Sequence, residues 1–107
     1  MAVFSEDIIE AVWSKAFPQV NNNPDAFRQD YAGAWIKRDD YGSRDSVYGW
    51  EIDHLKPKEK GGTDDINNLI PLHWRNNVAK GNHYPRWQTS YSSQGVDNEE
   101  LTKHWHV

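Results

Sequence analysis

Trp50-Glu51-Ile52-Asp53-His54-Leu55-Lys56-Pro57, then Gly61-Gly62, Asn67-Asn68-Leu69, Leu72 and Asn76-Asn77-Val78-Ala79-Lys80-Gly81, is the most informative run of the chain. Tyr48 to Ile52 reads as a short strand rich in aromatic and branched residues, running into Asp53-His54. A long polar loop from Lys56 to Asp65 follows, with Gly61-Gly62 inside it. Ile66 to Leu72 is short and apolar, and Pro71 limits it as a strand because proline has no N–H for a ladder. His73 to Lys80 predicts a helix of two turns with Gly81 as its C-cap. The order is strand, loop, strand, short helix.

Outward from this stretch, Ser5 before Glu6 and Asp7 is a helix start, a capping hydroxyl with acids in the first turn. Ile8, Ile9, Val12, Trp13 and Ala16 share one helical face, so a helix is expected over Ser5–Phe17, stopped by Pro18. Asn21 to Asp25 is a loop, and Asn23-Pro24 predicts a short helical turn through Gln29. Ala34-Trp35-Ile36 reads as another short strand, with Asp39, Asp40, Gly42 and Ser43 supplying turn chemistry after it. Beyond His83 the chain is polar with Tyr84, Trp87, Tyr91 and Trp105, and is expected to wrap over the core, with a last helical turn from Asn98 to Lys103.

The chain has 107 residues, one domain's worth, and only 36% are hydrophobic, below the usual ~45–50%. Six Trp, five Tyr and three Phe compensate, because each ring buries a large area. The absence of Cys excludes a disulfide scaffold and a thiolate zinc site. No apolar run reaches membrane-spanning length and no signal-peptide stretch opens the chain, so a cytoplasmic protein without membrane contact is expected. A net charge of −4 argues at first against a polyanion partner, but the distribution weakens that objection. Residues 1–54 carry ten acids and five bases, whereas residues 55–96 carry three acids and six bases. From Ile66 to Val96 there is no acid at all.

The composite motif from Ile52 to Gly81 resembles the HNH endonuclease family, with 15 residues from Asp53 to Asn68 and 9 from Asn68 to Asn77. The resemblance extends weakly back to Gly33-Ala34-Trp35-Ile36. It implies an α+β fold: a ββα-metal (HNH) core over 33–83, with an added N-terminal helix and loop (1–30), a short antiparallel hairpin, and a C-terminal wrap (84–107) in the same domain. It also implies a metal-dependent endonuclease hydrolysing DNA phosphodiester bonds. His54 takes the general-base role, and the family's Asn, here Asn68, ties the long loop that positions the catalytic strand. Asp53 and Asn77 offer a carboxylate and an amide oxygen to one hard divalent cation, Mg²⁺ or Mn²⁺.

Each assignment has an ordinary alternative. An isolated Asp-His at a strand end is normally a turn hydrogen bond. Asn77 is unfavourable in mid-helix by propensity, which a ligand role explains better than a solvent face. Lys80, with Arg75 and Lys56, is expected to meet DNA phosphates, a solvated lysine being the alternative for Lys80. Many relatives hold a structural zinc with Cys pairs, one falling where this chain has His73 and Asn76. Without it, packing by Trp35, Trp50, Trp74 and Leu72 must hold the fold. His73 is expected to pack rather than bind metal, His83 is an auxiliary ligand at most, and His104 and His106 decorate a surface. The competing function is an HNH-like module that binds nucleic acid or protein without turnover. Under the enzyme reading the partner is DNA, with a protein partner as one source of specificity.

Overall fold

The computed structural model describes residues 3–107. At its centre, β3 (Trp50–His54) and β4 (Leu69–His73) pair antiparallel, Trp50 opposite His73 and His54 opposite Leu69. Pro71 is tolerated in β4 because this sheet has only two strands, so β4 has a free edge. Helix α2 (Trp74–Lys80) follows without a linker. His73 is its N-cap, Nδ1 accepting the Arg75 N–H, and the Gly81 N–H closes the other end on the Asn77 carbonyl.

Between β3 and β4, the Asn68 side chain ties the two ends of the loop over residues 55–68 together. Asn68 accepts the Lys56 N–H at 2.9 Å and donates to the Lys56 and Thr63 carbonyls at 3.0 and 2.9 Å. Gly62 is required at this closure: a Cβ there would lie 1.7 Å from the Lys56 carbonyl oxygen.

Helix α1 (Glu6–Trp13) starts as expected, the Ser5 hydroxyl accepting the Ile8 N–H. It ends earlier than Phe17. The Lys15 and Ala16 N–H groups tighten onto Val12 and Trp13, and Phe17 leaves to exchange both backbone bonds with Gln29. Ile9, Val12, Trp13 and Ala16 form the core cluster with Ile36, Trp50 and Leu69. Trp50 and Leu72 are fully buried and Trp35 nearly so, but Trp74 is only half-buried, its indole N–H reaching the Ser46 carbonyl.

Two further expectations are corrected. Phe27–Gln29 is a strand, β1, rather than the end of a helical turn, and pairs with β2 (Trp35–Lys37). The chain from Arg86 onward forms a long hairpin, β5 (Arg86–Gln94) with β6 (Asp97–His106), so no helical turn forms at 98–103. Asn98 explains the difference: its amide accepts the Trp35 N–H at 2.6 Å and donates to the Trp35 and Val47 carbonyls at 3.0 and 2.9 Å, docking β6 on β2. The tertiary contact overrides local preference.

A buried polar knot is built around Asp30, His73 and Asn76. Asp30 is 1% exposed and accepts from the Ala32, Ala34 and His73 N–H groups and the Asn76 amide. Asn76 also accepts the Ser90 and Tyr91 N–H groups, joining α2 to β5. Burial raises the Asp30 pKa, and those four donors oppose the rise. Among the described residues no helix is long and apolar enough to cross a membrane.

Candidate active site

Side chains alternate along β3, which places Glu51 and Asp53 on one face. Helix α2 covers that face, with Asn77 over Glu51 and Lys80 over Asp53. The Asn77 amide donates to Glu51 Oε1 at 2.7 Å, and Lys80 Nζ lies 3.0 Å from Asp53 Oδ2. Lys80 also donates to the His54 carbonyl at 3.1 Å and sits 5.6 Å from the centre of the Trp87 ring.

Each of the three candidate groups therefore has its own support. Arg44 grips Glu51 with two bonds of 2.8 and 2.9 Å. Burial favours a higher Glu51 pKa, but Arg44 and Asn77 outweigh it and hold the carboxyl below its ordinary value. With its NH₂ committed to Glu51, Asn77 keeps its amide oxygen for another partner. Burial pushes Asp53 up to about 6 against the opposing pull of Lys80 and His54. Although the ammonium is close, Asp53 Oδ2 has no hydrogen bond of good geometry.

His54 is held from the loop. Its Nε2 is 2.7 Å from Asp64 Oδ1, and Lys58 Nζ is 2.9 Å from the other Asp64 oxygen. Hydrogen bonds from Lys58 and His54 keep Asp64 below the usual carboxylate range, so it is the acceptor. As the acceptor, Asp64 takes the hydrogen bond from His54 Nε2–H. Asp53, His54 and Asn77 line one open cavity of about 490 Å³. His54 and Asn77 also line a neighbouring one of about 430 Å³ with Arg44 and Glu51.

The structure sorts the remaining sequence candidates. Asn68 clamps the loop as expected. Lys80 is corrected: it is fully buried, committed to Asp53 and the His54 carbonyl, and cannot reach a phosphate in solvent. Arg75 and Lys56 are exposed, and neither lines the two cavities. Arg75 stacks 5.2 and 4.9 Å from the Trp74 and Tyr91 rings. His73 packs in the interior, its Nε2 donating to the Val47 carbonyl at 2.9 Å, and burial lowers its pKa to about 4. His83 gathers with His104 and His106 in a different cavity. Sequence reasoning missed Glu51 and Asp64. Glu51 was marked by its position two residues before Asp53 on an alternating strand. Nothing local marked Asp64, because its role depends on how the loop closes.

The donor set suits a hard cation. Asp53 and Asn77 carry oxygens of the kind such an ion takes, and among the described residues no three His, Asp or Glu side chains converge on a metal position. A cation here would take its other ligands from water and substrate, as Mg²⁺ commonly does.

No curated protein and no solved structure gives a significant match. Residues 38–83 match the family model described as HNH endonuclease, a span that holds β3, the Asn68-clamped loop, β4 and α2. That segment is similar to the HNH endonuclease family.

Proposed function

We propose that the chain is a metal-dependent endonuclease that hydrolyses DNA phosphodiester bonds, with β3, β4 and α2 serving as a ββα-metal unit. The observation that carries the reading is His54, paired with Asp64 at 2.7 Å and itself on the wall of a cavity shared with Asp53 and Asn77. His54 Nδ1 takes a proton from a water lying in the cavity. The resulting hydroxide oxygen bonds to phosphorus as the bond to the 3′ oxygen breaks; the departing 3′ oxygen takes a proton from a solvent water and His54 returns its proton to solvent, leaving 5′-phosphate and 3′-hydroxyl ends. Asp64 holds the ring so that Nδ1 faces this water and stabilises the imidazolium as it forms. Asp53 and Asn77 would hold Mg²⁺ or Mn²⁺, which when bound supplies charge stabilisation at the phosphoryl and leaving oxygens. Glu51 fixes the Asn77 amide with its oxygen turned to that task.

The non-catalytic binding module draws on one observation: Asp53 is only 7% exposed and already faces an ammonium. Titration of Mn²⁺ into wild type, Asp53→Ala, Asn77→Ala and His54→Ala separates the two. The nuclease reading expects saturable binding in wild type and His54→Ala, and weakened binding in the other two. Absence of binding in wild type would favour the module.

A further inference from the structure

The open end of the β5–β6 hairpin carries a feature that the active site does not use. Arg86 lies opposite His106, and Gln88 opposite His104. Directly paired residues share a face, so these four side chains form one patch. All four are exposed. With His83, which follows α2, they line a cavity of about 620 Å³ whose lining includes no acid. Trp87 and Trp105, which also line this cavity, anchor the hairpin: Tyr31 packs against them with ring centres 5.9 and 4.5 Å away. The hairpin's acids, Asp97, Glu99 and Glu100, sit toward the turn, away from this end.

Three histidines suggest a metal at first, but among the described residues no three such groups converge on one. The patch instead offers a guanidinium, imidazole N–H groups and an amide, all suited to phosphate oxygens. Position supports the same ligand. Asn82 lines the active-site cavity and His83, the next residue, lines this one, so the two cavities flank one short backbone segment.

We infer that the outer face of the hairpin's open end, Arg86, Gln88, His104 and His106 with His83, binds the phosphodiester backbone of the DNA strand that runs on from the active-site cavity. The inference rests on the nuclease reading for its choice of DNA, and binding without cleavage tests it separately. A short labelled duplex and the matching single strand are titrated in EDTA with wild type, Arg86→Ala and the double variant His104→Ala/His106→Ala, over a range of salt. Melting curves check that these exposed changes leave the fold intact. Arg86→Ala is expected to weaken duplex binding roughly 3- to 10-fold and to reduce the salt slope by about 1. The double variant weakens it several-fold, and equal losses on the single strand show that backbone rather than duplex shape is read. Unchanged affinity and slope in both variants, or no binding by wild type at low salt, would overturn the inference. Hairpin-dependent binding without metal-dependent plasmid cleavage by wild type would instead overturn the nuclease reading and leave the patch standing.

Discussion

Replacing Lys80 with Met tests how the site is held. The side chain is fully buried, with Nζ 3.0 Å from Asp53 Oδ2 and 3.1 Å from the His54 carbonyl. Met keeps most of the volume and removes the charge, stranding a carboxylate that burial already pushes up to about 6. Removing one partner of a buried pair costs roughly 3–5 kcal/mol, and protonation of Asp53 limits the loss to about 3 kcal/mol at neutral pH. For a chain of this size that lowers the Tm by roughly 15 °C, read by circular dichroism. Two signatures accompany the loss. With Lys80 gone the folded Asp53 pKa rises further above its unfolded value, so the folded variant binds the extra proton and its deficit shrinks as pH falls. Adding Asp53→Asn to Lys80→Met recovers most of the loss, because no charge is then stranded. Stability within about 0.5 kcal/mol of wild type, the range typical of surface changes, would refute the reasoning and return Lys80 to the surface.

Other outcomes follow from the same geometry. Asp64→Asn keeps the loop but removes the carboxylate that orients His54; plasmid cleavage should fall roughly 10–100-fold with an unchanged melting curve. Unchanged cleavage would remove Asp64 from the mechanism. Asn68→Ala loses three loop bonds and should cost about 2 kcal/mol in urea unfolding. The folded His73 pKa of about 4 lies below the ordinary 6.5, so the unfolded chain binds the extra proton between them and stability is lost as pH falls through that window. Asp30 and Asp53, with raised values, act in the opposite sense, so the comparison is with His73→Asn, which retains a capping oxygen. Between pH 7 and 5 wild type should lose about 2 kcal/mol more than that variant, measured by urea unfolding at each pH.

The site's frame is legible in the sequence because it is local. Ser5 caps α1, His73 to Gly81 bounds α2, and Asn68 closes the loop at the spacing of the motif. What sequence could not show depends on distant partners. Lys80 reads as a surface lysine on a short helix until Trp87 of the hairpin covers it and Asp53 receives it. Asp64 is one of two adjacent loop acids, and only the closed loop decides which one meets His54. The hairpin itself is not legible at Asn98–Lys103, where a helical turn is expected. Its cue is Gly95 between two segments with Trp87, Thr89 and Tyr91 in alternation, but Asn98 docking on Trp35 settles the backbone there. Asp30 likewise has no motif; its value comes from His73 and Asn76, more than 40 residues away.

The most direct test of the account is conversion of supercoiled plasmid to nicked and linear forms by wild type and His54→Ala side by side, with Mg²⁺, Mn²⁺ or EDTA. Metal-dependent cleavage by wild type, none in EDTA, and its loss in His54→Ala are expected. No cleavage by folded wild type with either metal, or equal cleavage by both proteins, would contradict the nuclease reading.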